Sequence, residues 1–231
     1  VTALQAIVFD FDGVIANSEP LHLQAFQAVL ADEGLALTPG DYYARYLGFD
    51  DVGVFEAIAS DRGRTSNARW VSTLVERKGA VLQQLMQADA VLFPGAKEFI
   101  RAAAAAVPIA IASGALRHEI DEIVGAAGLS SLFTAIVASG DTAESKPSPA
   151  PYALALQHLQ ERTRRSLDPR RSVAIEDSRW GIESARGAGL RCVGVTTSYP
   201  AHELGGAELV VTGLKALTLD ALDQLCAARE R

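Results

Sequence analysis

Asp10-Phe11-Asp12-Gly13-Val14 places two carboxylates two residues apart, directly after the apolar run from Leu4 to Phe9. If that run is a buried strand, period-two geometry sends Asp10 and Asp12 to the same side at its carboxyl end, and Gly13 permits the turn that follows. Carboxylates held that close repel, so either their protonation states split or a cation sits between them. Three further sets lie downstream: Ser113-Gly114-Ala115, Lys146-Pro147 and Glu176-Asp177-Ser178. Ser113, with the backbone N–H groups of Gly114 and Ala115 at a helix start, suits an anion. Lys146 could bring a full positive charge to the same anion. Asp10, Asp12, Glu176 and Asp177 would be strongly destabilising together unless they hold a cation. Their donors are all oxygen, with no histidine or cysteine alongside, which suits Mg²⁺ rather than zinc. An anion pocket, Mg²⁺ and spare carboxylates together point to phosphoryl transfer. Taken singly, Ser113 reads as a helix cap, Lys146 as a surface charge and Glu176-Asp177 as a capped helix start.

What would bring these residues together is a doubly wound sheet, which binds ligands beyond the carboxyl ends of its strands. Short apolar, β-branched runs recur at Ala6–Phe9, Pro108–Ala112, Ala135–Ala138, Ser172–Ile175, Cys192–Val195 and Leu209–Val211, with helical patterns between them. Continuous apolar strands alternating with helices imply an α/β fold with a mostly parallel, Rossmann-like sheet covered on both faces. Each of the four sets follows one of these runs. The alternation lapses between about Ile15 and Leu92, where only helical spacing is found (Leu23, Phe26, Leu30; Phe55, Ile58; Leu74, Val81, Leu82, Leu85). Residues 16–92 are therefore expected to form an inserted helical domain, and residues 1–15 with 93–231 the core. Thr38-Pro39 reads as a helix start inside the insertion.

Composition narrows the class. The chain has 231 residues, is 49% hydrophobic and 21% charged, and so can bury a substantial core. A net charge of −7 argues against a broad nucleic-acid surface. Neither of the two cysteines, Cys192 and Cys226, has metal-ligand spacing, so packed, reduced thiols are expected. No apolar stretch is long enough to cross a bilayer and no leader opens the sequence, which makes cytoplasm the default and a membrane partner unexpected. Nothing demands more than a monomer.

In order and spacing, Asp10-Phe11-Asp12-Gly13-Val14, Ser113, Lys146-Pro147 and Glu176-Asp177-Ser178 resemble the four motifs of the haloacid dehalogenase superfamily. The resemblance spans nearly the whole chain and is nearest to the branch of phosphoglycolate phosphatases and β-phosphoglucomutases. It implies that the insertion is that superfamily's helical cap. It implies Asp10 as the nucleophile forming an aspartyl phosphate, and Asp12 as the acid and base, its backbone carbonyl binding Mg²⁺. Glu176 and Asp177 match the remaining metal-site acids, Asp177 the surer ligand. Ser113 and Lys146 match the phosphate binders, with Lys146 also neutralising Asp10. The dehalogenases lack the second aspartate of the first motif, so Asp12 argues against dehalogenation.

Within that branch the choice lies between hydrolysis of a small phosphomonoester, of sugar-phosphate or phosphoglycolate type, and transfer within a sugar phosphate. His22, twelve positions after Asp10, matches a histidine of the mutases that related phosphatases often share. In the segment Leu47-Gly48-Phe49-Asp50-Asp51, the mutases place an arginine close to Asp51 to hold a second phosphate, which an aspartate would repel. Arg45 and Lys78 are other cations of the insertion that could reach a substrate. Hydrolysis is the expected reaction and the mutase the alternative. A silent phosphometabolite-binding relative ranks third, because the acids and the lysine are all present.

Overall fold

The structure, a computed structural model, describes residues 3–47, 49–88 and 92–228. Six short strands form one sheet: β1 Ala6–Phe9, β2 Ile109–Ala112, β3 Ala135–Val137, β4 Ser172–Glu176, β5 Arg191–Val195 and β6 Leu209–Val211. Their order is β3-β2-β1-β4-β5-β6, and every pairing is parallel. The chain steps outward from β1 through β2 to β3, then returns to the other side of β1 for β4. The order therefore reverses beside β1, which is where such sheets open a crevice at their carboxyl ends.

Strand limits differ by a residue or two from the apolar runs. Pro108 lies outside β2 because it has no N–H to give, although its carbonyl accepts from Ile7 N–H at 3.2 Å. Glu176 is the last residue of β4, not the first of the loop, so a charged side chain stands in a fully buried strand. β1 and β2 are buried at every residue, as expected for a sheet covered on both faces. Alternate side chains serve opposite layers: Ala6 and Val8 join one core cluster with Tyr152 and Leu159, whereas Phe9 packs edge-on to Phe99 and Phe133.

Two compact units are present, Val1–Asn17 with Val91–Arg231, and Ser18–Ala90. The second holds helices α1 Glu19–Asp32, α2 Pro39–Asp41, α3 Asp51–Asp61 and α4 Ala68–Ala88 around its own core of Phe26, Leu30, Tyr42, Phe55, Ile58 and Leu74. Thr38 does cap a helix, its Oγ1 accepting from Asp41 N–H at 3.0 Å. That helix lasts three residues before widening into a turn over Tyr42–Tyr46, closed by Leu47 N–H to the Tyr42 carbonyl at 3.1 Å. Gly48 lies outside the described residues. The first unit carries α5 Ala96–Ala106, α6 Arg117–Ala126, α7 Ala150–Thr163, α8 Arg179–Gly187 and α9 Leu219–Ala227. Both cysteines are free thiols, Cys192 buried and Cys226 half-buried. Among the described residues, no helix is long and apolar enough to cross a membrane.

Candidate active site

At the end of β1 the backbone of Asp10 is still tied to the sheet, its N–H donating to the Ile175 carbonyl at 2.9 Å. Its carboxylate is buried and faces that of Glu176 at the end of β4. Between them stands Lys146, from the loop after β3, with Nζ 2.7 Å from Asp10 Oδ1 and 2.6 Å from Glu176 Oε1. Nζ also lies 5.0 Å from the centre of the Tyr152 ring, and the Tyr152 hydroxyl donates to Glu176 Oε1 at 2.9 Å. Burial alone would depress the lysine, but Asp10 and Glu176 hold it firmly in the charged form and raise its pKa.

Asp10, Glu176 and Asp177 each offer a carboxylate oxygen within 4.8 Å of one another. With Lys146 as the one cation bonded to Asp10 and Glu176, full ionisation of the three leaves two uncompensated negative charges. Asp10 is pushed well above the ordinary carboxylate range, by burial first and then by Glu176, with Lys146 opposing. Asp177 is pushed up to about 7 by burial and by Glu176. An all-oxygen, buried set with a residual charge of two suits a hard divalent cation, so these residues fit Mg²⁺.

The acids differ in how fully they are engaged. Both oxygens of Glu176 are saturated: Oε2 accepts from Asp177 N–H (3.1 Å), Ser178 N–H (3.2 Å) and Ser178 Oγ–H (3.1 Å), besides the two bonds at Oε1. Gly181 makes room for this carboxylate, since a Cβ there would stand 1.8 Å from Oε1. Asp177 is held differently. Ser198 hydrogen-bonds its carboxylate and favours the ionised form, and Gly13 (φ +79°) packs so close that a Cβ would fall 1.8 Å from Oδ2. Thr197 Oγ1 donates to the Gly13 carbonyl, which ties the turn after β1 to the loop after β5.

Two details of the sequence reading need correction. Strand alternation stops with β1 at Phe9 and does not extend to residue 12; the carboxylate oxygens within 4.8 Å of one another belong to Asp10, Glu176 and Asp177, and the Asp12 charge raises Asp177. The helix after β2 begins at Arg117, not at Ser113. The Ala115 N–H is spent on Ser113 Oγ at 3.0 Å, and Leu116 N–H on Glu119 at 3.1 Å. What remains there to meet an anion is the buried Ser113 hydroxyl and Gly114, where a Cβ would meet nothing within 4 Å. Ser198, Thr197 and Tyr152 were missed from sequence. The strand-end rule, applied to β5 as well as to β1 to β4, would have marked Thr197-Ser198; for Tyr152, a tyrosine on the buried face of α7, no such signal exists.

Residues 7–195 match the model of the haloacid dehalogenase-like hydrolases. The chain belongs to that family. It is 31% identical to Protein CbbY of Rhodobacter capsulatus over 96% of this chain and 99% of that one. It is 27% identical to the phosphoglycolate phosphatase of Yersinia pestis over 85% and 83% of the two chains. A solved structure of mutant CbbY from Rhodobacter sphaeroides in complex with xylulose-(1,5)bisphosphate superposes with a TM-score of 0.81 at 28% identity, covering 95% of this chain and 99% of that chain.

Within the helical unit of this hydrolase, three of the four singled-out residues meet. Lys78 is not a surface cation but is 1% exposed, with Nζ 2.8 and 3.0 Å from the two Asp51 oxygens, 2.8 Å from His22 Nδ1 and 5.0 Å from the Phe26 ring centre. Asp51 is the first residue of α3, which is capped by Asp50, whose Oδ1 accepts from Gly53 N–H at 2.7 Å. Its charge is therefore already answered by Lys78. An ammonium only donates, so His22 Nδ1 accepts and the ring proton sits on Nε2. Burial and Lys78 depress His22 to about 3. Glu19 is raised by burial and accepts from the Tyr42 hydroxyl. Arg45 stands apart, 2.6 Å from Asp61 and half exposed.

Two outcomes follow from these contacts. Asp51→Ala should strand the Lys78 ammonium and destabilise the protein by about 2–3 kcal/mol, below the usual range for a broken buried pair because Asp51 is partly exposed. Asp51→Ala/Lys78→Met should regain most of that in urea unfolding; a double variant no more stable than the single one would contradict the pairing. Ser198→Ala removes a bond to ionised Asp177, so its proton should be held more tightly. Mg²⁺ affinity at pH 7, read by thermal shift, should then fall several-fold, an effect of about 1 kcal/mol.

Proposed function

We propose that this hydrolase is a Mg²⁺-dependent phosphatase acting on a small phosphomonoester of sugar-phosphate or phosphoglycolate type, by way of an aspartyl phosphate on Asp10. The observation that carries the reading is the buried Asp10 carboxylate at the end of the central strand, held by Lys146 at 2.7 Å inside a set of acids that lacks a divalent cation's worth of positive charge. The names of its relatives, a phosphoglycolate phosphatase and a protein crystallised with a sugar bisphosphate, support the substrate class.

Each residue then has a part. The Ser113 hydroxyl and the Gly114 N–H receive the phosphoryl oxygens, and Lys146 fixes Asp10 Oδ1. Asp10 forms a bond to phosphorus as the ester oxygen leaves, and Asp12 gives that oxygen its proton. Asp12 next takes a proton from water as the water oxygen bonds to phosphorus, which releases inorganic phosphate and frees Asp10. Asp10, Asp177 and the Asp12 carbonyl would hold Mg²⁺, which would supply positive charge for the phosphoryl group. Glu176, its oxygens already taken, positions Lys146 and the start of α8 and does not serve as a direct ligand. Asp12 is the group left to handle protons.

Asp10→Asn is the direct test. It should abolish release of phosphate from an aryl phosphate by roughly three orders of magnitude or more while the melting temperature stays near that of the parent. Activity like the parent's in a clean preparation would refute the mechanism. The metal has a pH signature of its own. Asp177 titrates near 7 when folded and near 3.8 in the ordinary range, so the folded, metal-free protein binds the extra proton and loses stability as pH rises through about 7. In chelator the melting temperature should therefore fall between about pH 4 and pH 7.5. The gain on adding Mg²⁺ should grow over the same window, because the cation must displace that proton. A Mg²⁺ gain that shrinks with rising pH would count against the ligand set.

A further inference from the structure

On α8, just beyond the catalytic acids, Arg179, Ile182, Glu183 and Arg186 fall at successive positions of one helix face. Together with Gly206 they line a groove of about 280 Å³. The loop at Gly206 comes close: a Cβ there would lie 2.9 Å from Ile182 Cγ2 and 3.6 Å from Arg186 Nη1, so the groove narrows around the Arg186 guanidinium. Elsewhere arginines find acids, as Arg64 in a loop and Arg77 on α4 do on Glu33. Among the described residues neither Arg179 nor Arg186 makes an ion pair, and Glu183 makes none with them. Arg179 instead lies over the Trp180 ring, 4.3 Å from its centre, and Trp180 meets Tyr199 edge-on at 6.0 Å.

We propose that this groove is a second anion site, separate from the catalytic centre, for a small phosphorylated molecule with two linked anionic groups. Arg179 and Arg186 start about 10 Å apart along the helix, and as both line one groove their long side chains can each take one phosphoryl group of a diphosphate. Glu183, midway, repels a lone compact anion and accepts from any hydroxyl that such a molecule carries. Trp180 borders the Arg179 end and gives the site an optical reporter. The site lies wholly in the sheet-bearing unit and stands whether or not Asp10 is the nucleophile.

Trp180 and Trp70 are the two tryptophans of the chain. In a Trp70→Phe protein, Trp180 emission should respond saturably to pyrophosphate, with half-saturation at or below about 1 mM, and weaken at least tenfold with inorganic phosphate or with sodium chloride at matched ionic strength. Arg186→Gln should weaken pyrophosphate binding about tenfold or more while leaving phosphatase activity without pyrophosphate unchanged. Glu183→Gln should tighten it, a gain that no folding defect can imitate. The response should also survive Ser113→Ala, which cripples the catalytic anion site. The proposal is overturned by any of four results: no saturable response, equal affinity for phosphate and pyrophosphate, an affinity unmoved by Arg186→Gln and Glu183→Gln, or a response lost in Ser113→Ala.

Discussion

One ammonium group, Lys146 Nζ, stands between two buried carboxylates, and most of the core's local geometry answers to it. The lysine comes from the loop after β3, Asp10 from the end of β1 and Glu176 from the end of β4, so three strands must be in register before the contact exists. Without it the Asp10 and Glu176 charges would lie buried and uncompensated, a state far costlier than the pair itself. The Tyr152 ring and hydroxyl, contributed by α7, complete the cage from behind. A buried carboxylate is thus held by a partner whose own charge the two acids reinforce.

The two neighbouring acids at the end of β4 show how adjacent residues acquire opposite characters. Glu176 is locked by five hydrogen bonds and by the absence of a side chain at Gly181. Asp177 has only the Ser198 hydroxyl and the nearby Lys146 charge to favour its ionised form, against burial and Glu176, and is pushed up to about 7. The first is architecture and the second is responsive to what binds. The difference arises from backbone direction: β4 points Glu176 inward, and the turn into α8 carries Asp177 out of that line toward Gly13 and Ser198.

Much of this was legible in the sequence because a parallel sheet buried on both faces writes itself as short apolar runs, and ligand chemistry then falls at their ends. That logic located Asp10, Ser113, Lys146, Glu176 and Asp177. It failed for Asp12, where alternation was carried past the last strand residue, and for Ala115, whose N–H is used by its own neighbour. The pairing of Asp51 with Lys78 was also out of reach, since a lysine in a helix is ordinarily exposed. A signal did exist: Lys78 lies four residues from both Leu74 and Leu82, on the stripe that buries α4. A charge on an apolar stripe demands a partner, and reading it so would have pointed to an acid such as Asp51.

The parallel order of the sheet has a consequence for biosynthesis. Of the six strands β1 is made first, yet it lies at the middle of the sheet, where Ile7 pairs with Ile109 on one side and Val173 on the other. At ordinary elongation rates the chain between Phe9 and Ile109 takes roughly five to twenty seconds to make. During that interval the Ala6–Phe9 segment is an apolar strand with both edges bare, while the residues from Ser18 onward, rich in local helical contacts, can already compact. The nascent chain is therefore most vulnerable to aggregation at the strand that leads into Asp10, and a chaperone that shields such a strand would affect its yield more than any change in the finished fold.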